Sequence, residues 1–131
     1  MAFSHYEMGE GQCHMPKGAI PFHSMFACTY KVFIDYQWWY VFQSYDTPIA
    51  MVYRSPSAKT FLGVNFSSFD CSRTTARQFS KWLFENNLPS YSVIKKALYD
   101  MVDGEVRTVG CVQLFRHTDK QFRQVFNAAN H

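Results

Sequence analysis

Between Trp38 and Gln78 the chain changes its period, and that change limits what it can fold into. Trp38-Trp39-Tyr40-Val41-Phe42-Gln43-Ser44 is apolar at neighbouring positions as well as alternate ones, as expected of a strand covered on both faces. Tyr45-Asp46-Thr47-Pro48 follows as a turn, because Asp can bond its own backbone two residues on and Pro fixes φ and withholds a donor. Ile49 to Arg54 resumes a strand, Ser55-Pro56-Ser57-Ala58 turns again, and Thr60 to Phe66 forms a further strand. Then the period lengthens. Ser72 reads as an N-cap, and Ala76, Phe79 and Leu83, broadened by Trp82, form one helical stripe. Strands in a meander followed by an amphipathic helix predict an α+β domain. We expect an antiparallel sheet of three to five strands with two or three helices packed on one face.

The flanks are less regular. Gly9, Gly11, Pro16, Gly18 and Pro21 interrupt any period, so residues 1–27 read as an irregular N-terminal arm. Thr29 to Ile34 alternates weakly as a first strand. Asn86-Asn87-Leu88-Pro89 ends the first helix, and Ser90 begins another. Residues 91–102 leave two readings open. Val93, Ile94, Ala97, Leu98 and Met101 fit a helix face, the preferred reading, but Val102-Asp103-Gly104-Glu105 is also a hairpin signal. Val106 to Phe115 reads as one strand with Gly110 as a bulge. Thr118 caps a last helix whose apolar face is Phe122, Val125, Phe126 and Ala129. With 131 residues and no repeats, the chain is expected to form a single domain, 1–131.

Rings are abundant: 13 Phe, 8 Tyr and 3 Trp. A domain of this size cannot readily hide all of them, so some are expected at the surface, where they anchor partners or stack on bases. Charge is uneven. The first fifty residues hold Lys17 and Lys31 against four carboxylates, whereas the remainder holds eleven cations against six. The basic C-terminal half could steer an acidic partner or make weak nucleic-acid contact. Cys13, Cys28, Cys71 and Cys111 show no close pairing, and the first residues lack the basic start and apolar core of a signal peptide. No apolar run is long enough to span a membrane. These features lead us to expect a cytoplasmic setting without membrane contact.

The chemical signatures of an enzyme are missing. There is no Gly-rich phosphate loop, no His-Glu-x-x-His, no Gly-x-Ser-x-Gly and no acidic cluster. Cys71, just before a helix N-terminus, is the one thiol with a reason to be reactive, and a plain semi-buried cysteine is the simpler reading. Cys13, His14, His23 and Cys28 match the number of ligands a structural zinc needs, but adjacent residues rarely both reach one ion. No catalytic residue, cofactor or metal is therefore expected. Arg73, Arg77 and Lys81 step four apart into a basic ridge, which Lys95, Lys96, Arg107, Arg116, Lys120 and Arg123 could extend toward phosphates. Surplus rings, adaptable Met residues and one-sided charge suit a protein interface better. The expected contact residues are Tyr45, Asp46, Arg73, Arg77 and Lys81.

Gln43-Ser44-Tyr45-Asp46-Thr47-Pro48-Ile49-Ala50, followed by Ser72-Arg73-Thr74-Thr75-Ala76-Arg77-Gln78, resembles a pattern in small uncharacterised proteins of bacteriophages and their hosts. Those proteins place a Ser-Tyr-x-Thr-x-Ile-Ala turn and strand ahead of a Ser-x-Thr-Thr helix start. The resemblance covers roughly residues 38–86 and omits the arm and everything after Pro89. The family has no assigned activity, so it carries over no catalytic residue. It implies a phage accessory protein that binds and blocks a host protein or ribonucleoprotein complex, as anti-CRISPR proteins do. The alternative is a nucleic-acid-binding module using the basic ridge and exposed rings.

Overall fold

A computed structural model describes Pro16 and residues 18–129, the side chains of 125–129 excepted. Its centre is a meander: β2 (Ala27–Ile34), β3 (Gln37–Ser44), β4 (Thr47–Arg54) and β5 (Thr60–Asn65), each antiparallel to the next. A two-residue strand, β1 (Ile20–Pro21), flanks β2. Helices α1 (Arg73–Glu85) and α2 (Tyr91–Asp100) follow, then β6 (Val106–Val109), β7 (Val112–His117) and α3 (Asp119–Ala129). The sheet order is β1-β2-β3-β4-β5-β7-β6, and β5 pairs β7 in parallel.

The α+β class holds, but the sheet is larger and less uniform than expected. It has seven strands among the described residues and one parallel junction, where the chain returns to β5 through both helices. One of the additional strands comes from Gly110. Its φ of +62° and the Val109↔Val112 pairing make it a turn, so the stretch expected as one bulged strand is a hairpin. Another comes from the arm: Ile20–Pro21 pairs with Cys28 and Thr29, Phe22 is buried, and β2 already begins at Ala27. Residues 91–100 are helical, as preferred, and Ser90 caps them by accepting from the Val93 amide.

Local chemistry explains the boundaries. Ser72 Oγ accepts from the Thr75 amide at 3.1 Å and starts α1. At its far end Asn87 takes φ +55°, and the Asn87 and Leu88 amides donate back to Phe84 and Leu83. That is the Schellman closure, with Leu88 tucked against the core. Thr118 caps α3 reciprocally: its hydroxyl accepts from the Gln121 amide while the Gln121 side chain accepts from the Thr118 amide, both at 3.0 Å. Pro48 lies inside β4 and not in the turn. It faces Gln43 where the register slips after Phe42, a bulge position that needs no amide. The slip turns Ile49 toward the same side as Ala50.

Two apolar clusters sit on opposite faces of the sheet. On one, α1 and α2 pack Phe79, Trp82, Leu83, Ile94 and Leu98 onto Phe42, Val52, Leu62 and Val64. On the other, Phe122 of α3 meets Tyr30, Val32, Val41 and Met51. The helices therefore occupy both faces. The apolar stripe of α3 decides this, because β2 presents Cys28, Tyr30, Val32 and Ile34 away from α1 and that row needs its own cover. Of the expected α3 face, Phe122 is fully buried, and Val125, Phe126 and Ala129 lie outside the described side chains. No described helix is long and apolar enough to cross a membrane.

Candidate binding surface

The helices cover each face only in part. Along β3 the last four residues are buried and the first four are not. The expectation that Trp38–Ser44 would be covered throughout thus holds for its second half alone. The reason is where α1 stops. Its C-cap residue Asn86 receives the Arg54 guanidinium at its carbonyl, and beyond that bond no helix among the described residues covers Phe33, Trp38 and Tyr40, which are exposed.

What protrudes there is aromatic. Phe33 and Trp38 face each other across the β2–β3 ladder with ring centroids 5.0 Å apart. Lys31 pairs with Tyr40 and holds its ammonium 5.2 Å from the ring. Trp38 is 57% exposed, and Phe33 and Tyr40 are nearly as open. A shallow groove of about 350 Å³ beside them is lined by Tyr36, Trp38, Tyr40, Val52, Arg54 and Pro56. The tip that joins the strands is a two-residue turn, Asp35-Tyr36, with φ of +50° and +64°. Such turns favour Asn and Gly, because a side chain in the left-handed region is strained. Here the second position is a tyrosine, 93% exposed and packed edge-on against Phe33. Strain combined with an exposed ring marks this tip as a functional candidate.

The opposite face has its own open half. Trp39, Tyr53, Phe61 and Phe115 form a continuous row across β3, β4, β5 and β7, with successive centroids 5.5, 5.9 and 6.3 Å apart. Phe115 stacks on His117, which contacts Phe122 of α3. Burial beneath α3 pushes the His117 imidazole below the ordinary histidine range.

The residues expected to make contacts gather only in part. Tyr45 and Asp46 form the exposed turn between β3 and β4. The Tyr45 amide donates to Phe26 at 2.8 Å and its ring lies 5.7 Å from Phe26. Ser44 Oγ and Thr75 Oγ1, 2.8 Å apart, pin that turn beside the first turn of α1, so Tyr45, Asp46 and Arg73 share one end of the molecule. Arg77 and Lys81 follow one and two turns along, about 6 and 12 Å further. All three cations are exposed, and none makes an ion pair among the described residues. The aromatic tip lies at the other end of the strands.

The wider cation set is largely structural. Lys95 lies 3.8 Å from Asp70, Arg107 pairs with Glu105, Arg116 with Asp103 and Arg123 with Asp119. The zinc candidates do not converge either. Cys13 and His14 fall outside the described residues. His23 engages Glu85 on the α1 side, whereas Cys28 is buried in the α3-side cluster. Cys71 is exposed at the start of α1, with His23 beyond its far end and His117 on the other sheet face. Among the described residues no three acidic, Cys or His side chains group as a metal site.

Phe33, Tyr36, Trp38 and Tyr40 are not among the residues expected to make contacts. One signal was available: Asp35-Tyr36 separates two ring-bearing strands by the two residues that a tight hairpin requires. Comparison of the chain with protein-family models, curated proteins and solved structures finds no match.

Proposed function

We propose that this protein is a non-enzymatic binding protein whose contact surface is the open aromatic end of the β2–β3 hairpin. Its partner is a host protein or ribonucleoprotein complex, which it inhibits as a phage-type accessory protein. The observation that carries the binding part is Tyr36, held in a strained turn and almost fully exposed, with Phe33, Trp38 and Tyr40 around it. Interfaces draw most of their energy from such Trp and Tyr anchors. The adjoining groove offers Arg54 at its edge, a residue type also enriched at interfaces. The inhibitory, anti-defence part rests on the resemblance of residues 38–86 alone. The end that holds Tyr45, Asp46, Arg73, Arg77 and Lys81 is a second, polar surface of the same molecule.

The test is capture of a partner by the full chain, with the captured protein identified and its binding then measured pure. Trp38→Ser should weaken binding by roughly thirtyfold, the value of one hot-spot residue. Arg73→Glu with Arg77→Glu should change it little. If Trp38→Ser binds as well as wild type while the charge reversal abolishes binding, the basic end is the contact surface and the hairpin assignment is wrong.

A further inference from the structure

We infer that the open half of the α3-side face is a site for single-stranded nucleic acid, with unpaired bases stacking on Trp39, Tyr53, Phe61 and Phe115. This site lies on the other face of the sheet from the hairpin rings, since Trp38 and Trp39 point to opposite faces of β3, and it meets the hairpin groove at Gln37 and Tyr53.

Tyr53 and Phe61 pair directly across β4 and β5, the Trp39 ring meets Tyr53 on one side, and on the other the row steps diagonally over the parallel β5–β7 junction to Phe115, which pairs with Gly63. Each ring is half-buried, so its body is fixed by its neighbours while part of its surface stays open. A rigid row of π-faces is what a base-stacking platform needs, and it tolerates any base. The row floors two adjoining hollows of about 310 and 180 Å³, which share Gln37, Trp39 and Phe115. Gly63 keeps the second hollow open, because no side chain rises there between Met51 and His117.

The rim chemistry selects the occupant. Lys59 stands at the mouth of the larger hollow without an ion pair among the described residues, beside the hydroxyls of Ser55 and Ser57. These can meet a phosphate, and the Gln37 amide can donate to and accept from a base edge. The larger hollow has no carboxylate in its lining, and Asp35 borders only the smaller one. A purely apolar peptide would leave this cation unused, whereas the hydroxyls already bond each other at 3.0 Å and so do not by themselves select the occupant. A duplex hides its base faces and cannot use the rings. The combination therefore fits an unpaired strand, with its bases on the sheet and its backbone along the β4–β5 loop.

The experiment titrates the full chain into short fluorescein-labelled single strands of RNA and of DNA, and into the matching duplex, at low and at physiological salt. Anisotropy reports binding, and quenching of tryptophan emission reports stacking. We expect saturable binding of at least one single strand, with the duplex about tenfold weaker or more. Phe61→Leu and Tyr53→Leu keep apolar bulk but lose the π-face, and each should weaken binding about fivefold or more. Lys59→Glu, in an exposed loop, should weaken it and reduce the salt dependence by about one ion. Trp38→Ser should leave it unchanged, so loss of this site and loss of the hairpin surface are told apart. The proposal is overturned if wild type binds no single strand at low salt, or binds duplex as tightly. It is equally overturned if Lys59→Glu and the folded leucine variants all bind like wild type.

Discussion

The guanidinium of Arg116 lies over the ring of Phe66, its carbon 3.6 Å from the centroid. From there it donates to the carbonyls of Leu98, at 2.8 Å, and Met101, and to Asp103 at 3.2 Å. It thus closes the C-terminal end of α2, where carbonyls lack intrahelical donors and a cation also suits the helix dipole. Arg116→Met keeps the stem but removes the donor from the Met101 carbonyl and leaves Leu98 only the Met101 amide, at 3.2 Å, and should cost about 2–3 kcal/mol in urea unfolding. A midpoint unchanged from wild type would remove Arg116 from the fold's support. Tyr36 is the converse case. Tyr36→Gly relieves a left-handed side chain at the expense of unfolded-state entropy, for a net gain of about 0.5–1 kcal/mol. The same substitution should weaken partner capture. A glycine variant no more stable than wild type would mean that Tyr36 carries no strain there. Neither role was legible in the residue itself: Arg116 looked like one more cation of a basic half, and Tyr36 like one more ring.

At the scale of elements, helix ends were the readable part. Ser72, Ser90 and Thr118 act through bonds three residues away, and Asn86-Asn87-Leu88 closes α1 locally. Such signals survive in sequence because donor and acceptor are near neighbours. The placement of α3 was not readable, since nothing local says which sheet face will need cover. That placement has a pH signature. His117 is buried against Phe122 and titrates below the ordinary histidine value. The unfolded chain therefore takes up the proton first. This contribution to stability is complete above pH of about 6.5 and is lost as pH falls through the lower folded value. Unfolding midpoints should drop on acidification, and less so in His117→Gln. Equal slopes in the two proteins would show that His117 does not link α3 docking to pH.

Across the whole molecule, Asn65 is the joint. It ends β5, is fully buried, and donates to the Pro48 carbonyl at 3.1 Å and to Asp119 at 2.8 Å, tying β4 to the start of α3. Its own side-chain oxygen accepts from the Ser67 amide. Asn65→Ala removes the donor to the buried Pro48 carbonyl and the acceptor of the Ser67 amide, while Asp119 keeps Arg123, and should cost about 2 kcal/mol in equilibrium unfolding. A loss below a few tenths would mean that water replaces the amide there. Sequence alone determined what depends on near neighbours: the meander from Thr29 to Phe66, the α1 start at Ser72, the preference for helix over 91–100, and the excess of rings that must surface. Only the tertiary structure decided the parallel β5–β7 junction, the two-sided helix cover and the identity of the exposed rings. Those outcomes depend on where α1 and α3 come to rest. The same alternation of Trp38, Trp39 and Tyr40 is compatible with a buried or an open strand until a helix either covers it or stops short.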